Sequence, residues 1–208
     1  MITMTILIIA VTCLVSFPAF SNNKLMGDLI FYPPAITNEN QWYRFITSGF
    51  IHADTMHLAF NMFTLYFFGS SWETAYIGYL GVGKIWYIVL YLGALIVSQL
   101  PSYLKNRNNY RYRSLGASGA VSAIVFSMIL LTPWSTLYVF VIPVPAIIYA
   151  ILYLGYTIYM GKKGNDNVNH DAHLWGALFG IIFSVALKPE VISIFISAIT
   201  HPHFGGAE

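Results

Sequence analysis

Six apolar segments, each close to the length of a bilayer crossing, most strongly limit what this chain can fold into. A helix needs about 20 mostly apolar residues to cross the hydrocarbon core. Only 9% of the 208 residues are charged, whereas a typical soluble domain has about 25%. We therefore predict an all-α membrane protein, a six-helix bundle forming one domain over residues 1–200, with a short polar tail at 201–208. The predicted helices lie at about 2–20, 53–70, 84–100, 115–132, 143–160 and 172–187.

The first apolar segment has two interpretations. Pro18-Ala19-Phe20-Ser21 loosely resembles a signal-peptide cleavage site. The positively charged region that precedes the apolar core of such a signal is missing. The sequence therefore favours a retained helix over a cleaved signal.

Prolines and short apolar stretches indicate how the later segments end. Pro101, Pro133 and Pro189 fall near predicted segment ends, where a proline can stop a helix. Residues 134–145 predict a partly extended connection. Residues 190–199 are apolar but too short to span, so we expect an interfacial or docked segment there.

Polar residues cluster at the starts of alternate helices. In a six-span chain the second, fourth and sixth helices all begin on the same side of the membrane. His52 and His57 lie at the start of the second, Ser118 at the start of the fourth and His173 at the start of the sixth, while Asn61 follows His57 on the same helix face. Polar groups at this depth are energetically expensive, which marks these five as functional candidates.

These residue types are the parts of a serine hydrolase. A serine hydroxyl becomes a nucleophile when a neighbouring base accepts its proton, and histidine suits that role near neutral pH. Ser118 is the candidate nucleophile and His173 the candidate base. The Ser118 amide, His57 and Asn61 are candidate oxyanion donors. Asp171 precedes His173 by two residues, which points it elsewhere on a helix, so we predict a Ser–His dyad.

Small residues support close approach of the helices that carry this pair. Gly116 and Gly119 flank the serine, and Gly176 and Gly180 form a GxxxG pattern on the sixth helix. Such residues let membrane helices pack backbone to backbone.

Simpler interpretations exist for each motif alone. Glycine and serine in membrane helices often serve packing, and a membrane histidine often bonds a neighbouring helix. The histidines could also bind metal, but a HExxH-type zinc motif is missing. We therefore expect no metal or cofactor.

His170, His201 and His203 lie in polar loop or tail sequence, where we expect them to be solvated.

Charge points to lipid rather than nucleic acid as a partner. The net charge of +2 is too thinly spread for a nucleic-acid surface. The basic loop at 101–114 is predicted to bind phospholipid head groups through Lys105, Arg107, Arg111 and Arg113.

With these motifs the chain resembles the rhomboid intramembrane serine proteases over about residues 40–188. The matching patterns are His52-x4-His57-x3-Asn61, Phe68-Gly69-x3-Glu73-x4-Gly78, Gly116-Ala117-Ser118-Gly119 and Ala172-His173-x2-Gly176-x3-Gly180. The resemblance implies a six-helix core, a water-filled cavity at the serine, and cleavage of transmembrane protein substrates without a cofactor. It also suggests a multi-pass protein of the bacterial cytoplasmic membrane.

The resemblance assigns further residues and exposes two departures. Arg44, in Trp42-Tyr43-Arg44, looks like the arginine of the family's Trp-Arg element, with Tyr43 replacing the tryptophan, and Glu73 looks like the family's structural glutamate. Family members often carry an aromatic residue four positions after the nucleophile, stacked on the base histidine. Here that position is Ser122, so another group must orient His173.

Charge distribution is the second departure. The first, third and fifth loops hold eight basic residues, and only Lys84 and Lys188 lie on the other side. The positive-inside rule would turn the active-site mouth toward the cytoplasm, whereas the better-known bacterial members open outward. The orientation stays open.

Two other functions compete with proteolysis. A non-catalytic rhomboid-like protein that binds membrane clients would be expected to lack the serine or the histidine, and both are present. A small transporter or channel would be expected to carry charges near mid-membrane or paired broken helices, for which the sequence gives no clear sign.

Overall fold

The structure, a computed structural model, describes residues 3–139, 141–164, 166 and 168–202. Its helices are α1 (Met4–Ser21), α2 (Asn23–Leu29), α3 (Pro33–Glu39), α4 (Arg44–Thr47), α5 (Thr55–Trp72), α6 (Ile85–Asn106), α7 (Ser118–Ile129), α8 (Ala146–Lys163), α9 (His170–Leu187) and α10 (Glu190–Thr200). A 3-10 turn, Ser48–Phe50, precedes α5, and a π-helical segment, Glu73–Tyr79, follows it. Strands β1 (Thr136–Val139) and β2 (Ile142–Pro145) pair antiparallel.

Helices α1, α5, α6, α7, α8 and α9 correspond in order to the six predicted segments. By length and composition, three helices in the described part of the chain could each cross a membrane: Met4–Ser21, Ile85–Asn106 and His170–Leu187. The mostly helical membrane architecture is thus present, while six crossings are not established. The two predictions for the connections are correct: β1 and β2 occupy the region expected to be extended, and α10 is a helix of 11 residues, too short to span.

Helix α7 forms the centre of the bundle. Every residue from Gly119 to Ile129 is buried. The helix packs against α5, α6, α8 and α9. Its side chains are small near its start and larger near its end, and they fill the space between these neighbouring helices. The first residue, Ser118, alone remains partly exposed, so only the N-terminal end of this core helix is accessible.

A buried polar chain ties α5, α7 and α9 together. The indole N–H of Trp72 donates to Ser127 Oγ at 2.8 Å, and Ser127 Oγ lies 2.6 Å from Ser184 Oγ. Ser184 in turn donates to the Gly180 carbonyl at 2.8 Å. Each polar group therefore has a partner, which is required where water cannot supply one.

Two of the predicted boundaries differ for identifiable reasons. The fourth helix begins at Ser118 rather than near 115, because Gly116 has a φ of +111° that a right-handed helix cannot contain. The third helix continues past Pro101 to Asn106, so the expected stop there is wrong. On either side of the proline, Gln99 accepts a hydrogen bond from Asn169 and Ser102 donates one to Asn169, the residue that precedes α9.

The fifth helix also starts later than predicted. Pro143 and Pro145 lie in β2, and α8 begins only at Ala146. Of the predicted polar tail, residues 201 and 202 are described, and residues 203–208 lie outside the described part of the chain. His203 therefore lies outside it, and His201 is exposed as expected.

Candidate active site

Ser118 and His173 meet where two neighbouring helices begin. Ser118 is the first residue of α7, and His173 lies in the first turn of α9. Ser118 Oγ lies 2.8 Å from His173 Nε2, a hydrogen-bonding distance between positions 55 residues apart in the chain. The contact has the geometry required for an imidazole to accept the serine proton.

Glycines allow α7 and α9 to approach closely enough for this contact. A β-carbon at Gly176 would lie 3.0 Å from Gly119 Cα, and one at Gly180 would lie 2.6 Å from Ala123 Cα. A β-carbon on Gly119 would also meet the Ser98 side chain of α6. A larger residue at any of these glycines would push a neighbouring helix away from α7.

Gly116 shapes the turn that leads into Ser118 and lies against His57. Its φ of +111° is in the region that favours glycine. A β-carbon there would lie 2.9 Å from His57 Nε2. The Gly116 amide donates to the Ser48 carbonyl at 2.8 Å. His57 Nδ1 faces the Ala53 amide at 3.5 Å, an arrangement that leaves Nε2 as the proton-bearing nitrogen beside the turn.

Asn61 lies one helical turn deeper than His57 on α5. It is buried, and its Nδ2 donates to the His57 carbonyl at 3.0 Å. An amide nitrogen carries two hydrogens, so the second can serve another acceptor. The helix that packs against α7 therefore carries two side-chain donors on one face.

His52 is a scaffold residue of the turn. It is fully buried, its Nε2 accepts from the Ala117 amide at 3.3 Å, and its Nδ1 lies 3.0 Å from Ser16 Oγ. Because Nε2 accepts, Nδ1 carries the proton and donates to Ser16, whose hydroxyl donates to the Phe50 carbonyl at 2.9 Å. Burial, with a smaller effect from the nearby His57, lowers the pKa of His52 to about 3. The neutral ring therefore fixes the residue just before Ser118.

Asp171 is directed away from the Ser118–His173 pair. Its Oδ2 lies 2.6 Å from Lys105 Nζ. The prediction that it points elsewhere is correct. Lys105, one of the four basic residues predicted to bind lipid head groups, is thus paired within the protein.

Asn169 holds the start of α9, a role that the sequence analysis missed. Its Oδ1 accepts from the Ala172 amide at 3.1 Å and from Ser102 Oγ at 3.0 Å. Its Nδ2 donates to Gln99 Oε1 at 2.9 Å. An asparagine just before a helix is a capping signal, but nothing in the sequence identifies its partners on α6.

His170 is buried, so the prediction that it is solvated is wrong. It is 5% exposed, and its Nε2 lies 2.9 Å from Asp166 Oδ2. Its ring also meets Tyr156 edge-on at 5.5 Å and lies 6.0 Å from His173. As the first residue of α9, it is covered by α8 rather than exposed in the loop. Its hydrogen bond lowers the pKa of Asp166 below the usual value.

Tyr153 of α8 supplies the aromatic ring that the sequence analysis found missing. It stacks on His173, with ring centroids 6.2 Å apart and planes inclined by 19°. Its hydroxyl lies 2.7 Å from Ser122 Oγ. The serine at the position where an aromatic was expected therefore binds an aromatic from a different helix.

Arg44 and Glu73 lie in structural roles away from the serine. Arg44 is buried, and its guanidinium donates to the carbonyls of Gly27 and Ile30 at 2.8 and 2.7 Å. It thereby holds together the segment between α1 and α5. Glu73 accepts from the Thr5 amide at 2.7 Å and caps the start of α1.

The described residues contain no group of three or more His, Cys, Asp or Glu side chains placed to hold a metal ion. The chemistry available at the site is that of a hydroxyl, an imidazole and N–H donors.

A family model described as "Rhomboid domain" matches residues 39–190. The chain is 38% identical over 148 residues to "RHOMBOID-like protein 12, mitochondrial" of Arabidopsis thaliana, covering 66% of this chain and 44% of that protein. It is 36% identical over 151 residues to "Rhomboid-like protein 11, chloroplastic" of the same plant, covering 68% of this chain and 51% of that one.

A human relative, "Presenilin-associated rhomboid-like protein, mitochondrial", is 32% identical over 143 residues, covering 65% of this chain and 35% of that protein. The chain thus spans about half or less of the length of these relatives. Their names refer to mitochondria and chloroplasts, which conflicts with the expected bacterial cytoplasmic membrane.

Proposed function

The chain belongs to the rhomboid family, and on that premise we propose that it is an intramembrane serine endopeptidase acting through Ser118 and His173. The observation that carries this proposal is the 2.8 Å contact between Ser118 Oγ and His173 Nε2 at the partly exposed start of a buried helix. A packing serine can satisfy its hydroxyl with a carbonyl of its own helix, as Ser184 does with Gly180, whereas Ser118 meets an imidazole that can accept its proton.

Acylation uses the two residues in turn. His173 Nε2 accepts the Ser118 proton as Oγ attacks the carbonyl carbon of the substrate peptide bond. The resulting imidazolium then gives the proton to the departing amine. A water molecule, activated by the same histidine, hydrolyses the acyl-enzyme and returns Ser118 to its hydroxyl form.

Oxyanion stabilisation comes from donors around the turn. The Ser118 amide at the start of α7, the His57 Nε2–H and the free hydrogen of Asn61 are the candidate donors. Such groups are already oriented before the reaction, so they stabilise the developing charge without reorganising. Gly116 and His52 hold the turn in the shape that this arrangement requires.

Substrates are transmembrane segments of other membrane proteins. The peptide bonds of an intact helix are shielded by their own hydrogen bonds. Segments with small or helix-breaking residues near the matching membrane face are therefore expected to be cut. A cofactor is not needed for this chemistry.

The membrane arrangement is part of the proposal. Helices α5, α7 and α8 complete six crossings together with α1, α6 and α9, within one membrane domain over residues 1–200. Basic residues of the loop between α6 and α7 bind lipid head groups. The protein is an integral membrane protein; the membrane that contains it is to be found by fractionating its native host.

The competing function is a non-catalytic rhomboid-like module that binds membrane clients. It requires no nucleophile and base, whereas Ser118 Oγ and His173 Nε2 lie 2.8 Å apart at a partly exposed helix start. The discriminating experiment is labelling of detergent-solubilised protein with a fluorophosphonate, comparing wild type with Ser118→Ala. Labelling of wild type alone supports the protease; equal absence of labelling in both supports the binding module.

A further inference from the structure

The orientation of His173 depends on more than its bond to Ser118. A single hydrogen bond at Nε2 fixes one atom of the ring but leaves the ring plane free to tilt. The Tyr153 ring lies alongside at 6.2 Å, nearly parallel. Offset stacking at this separation is a favourable arrangement for aromatic rings, so Tyr153 restricts the tilt that the hydrogen bond permits.

Tyr153 is itself anchored to the helix that carries the serine. Its hydroxyl is 2.7 Å from Ser122 Oγ, and its ring lies 5.6 Å from that of Phe126. Ser122 and Phe126 are one and two turns beyond Ser118 on α7, and both are buried. The three helices α7, α8 and α9 thus contribute the serine, the stacking ring and the histidine.

We propose that Tyr153, held by Ser122, is a positioning residue that sets the ring plane of His173, so that the Ser118–His173 pair depends on the placement of α8. This inference rests on the proposed function of that pair. Tyr153 acts through the histidine and does not itself exchange protons with a substrate.

Helix α8 is the least buried of the helices around the site. Its only buried residues are Ala146, Ala150 and Thr157, and its outer face exposes apolar side chains such as Leu152 and Tyr156. It packs mainly against α9 and more lightly against α7. A lateral shift of α8 would remove the ring from His173 and break the hydroxyl contact with α7. The pair is therefore aligned when α8 is in place.

The test measures how fast a small fluorophosphonate labels Ser118 in detergent, since this probe needs the pair but not entry of a substrate helix. Tyr153→Phe keeps the ring, and Tyr153→Leu fills similar space without it. We expect labelling of Tyr153→Leu to be about three- to tenfold slower than that of Tyr153→Phe, the range that an aromatic pair supports. For Tyr153→Leu, kcat for a transmembrane substrate should also be lower than for Tyr153→Phe, with little change in KM.

A double variant and a matched control separate positioning from general destabilisation. Ser122→Phe combined with Tyr153→Ala places a ring on α7, one turn from Ser118, and should label faster than Tyr153→Ala alone. Tyr159→Ala removes the same side chain near the end of α8, where it lies under Lys163, and should label at the wild-type rate. Melting temperatures of all variants establish that each is folded.

Two results would overturn the inference. One is equal labelling of folded Tyr153→Leu and Tyr153→Phe. The other is slowing by Tyr159→Ala that matches the slowing by Tyr153→Leu, which would reveal a general effect of α8. Failure of the proposed function looks different, because wild type would then label no faster than Ser118→Ala.

Discussion

His52 accepts a hydrogen bond from the Ala117 amide at 3.3 Å, so a buried neutral histidine supports the residue that precedes the serine. The same ring reaches Ser16 of α1 through its other nitrogen. The N-terminal helix is thereby connected to the turn that carries Ser118, and its packing contributes to the geometry of the site.

His52 should make the protein sensitive to acid. Its pKa falls from 6.5 to about 3 on folding, first because of burial. The unfolded chain therefore binds more protons between these values, so the contribution of His52 is complete above pH 6.5 and is lost as pH falls toward 3. His52→Gln offers an uncharged acceptor instead. Its melting temperature should fall less than that of wild type between pH 6.5 and 4. Parallel curves for the two proteins would contradict this account.

The dyad should not need Asp171. His173→Ala removes the base and should abolish cleavage of a transmembrane substrate. Asp171→Asn breaks only the ion pair with Lys105, so stability should change by at most about 1 kcal/mol and most activity should remain. Turnover and melting temperature of both variants check this. An Asp171→Asn variant that is as inactive as His173→Ala, with unchanged stability, would indicate a triad instead.

His57 and Asn61 should act on turnover rather than on substrate affinity. Loss of one oxyanion donor costs roughly 10²–10³ in kcat in serine proteases. His57→Ala and Asn61→Ala should therefore each lower kcat strongly, yet less than Ser118→Ala, because the backbone donor remains. Steady-state kinetics with a transmembrane substrate separate the two parameters. If KM rises while kcat is unchanged, these residues dock the substrate.

Entry of substrate helices should require movement of α8. A disulfide between the C-terminal half of α8 and α5, built in a Cys13→Ala background, should block cleavage of transmembrane substrates. Labelling of Ser118 by a small fluorophosphonate should persist, because a closed α8 keeps Tyr153 on His173. The reduced form of the same variant is the control. Wild-type cleavage by the cross-linked form would show that substrates enter elsewhere.

The sequence predicted the Ser118–His173 contact because both residues lie in short motifs at starts of alternate helices. Tyr153 could not be found this way. It lies mid-helix, on another element, in a run of aromatic and aliphatic residues without distinguishing pattern. Only the unexpected serine at position 122 indicated that a ring had to come from elsewhere.

Predictions from local sequence were wrong at two places where contacts with other parts of the chain determine the structure. The cross-helix hydrogen bonds of Gln99 and Ser102 accompany continuation of α6 past Pro101, although a proline alone favours a stop. His170 looks polar and loop-like in sequence, yet α8 covers it. In each case a partner distant in the chain outweighs the local preference.

The measurement that tests the central claim most directly is cleavage of a single-span substrate by the purified protein in liposomes, with Ser118→Ala as the paired variant. We expect wild type to cut the substrate in or near its transmembrane segment, in EDTA as well as without it, and we expect Ser118→Ala, folded by its melting temperature, to be inactive. Cleavage by Ser118→Ala at the wild-type rate, or loss of wild-type activity in EDTA that zinc restores, would contradict a serine mechanism in this protein.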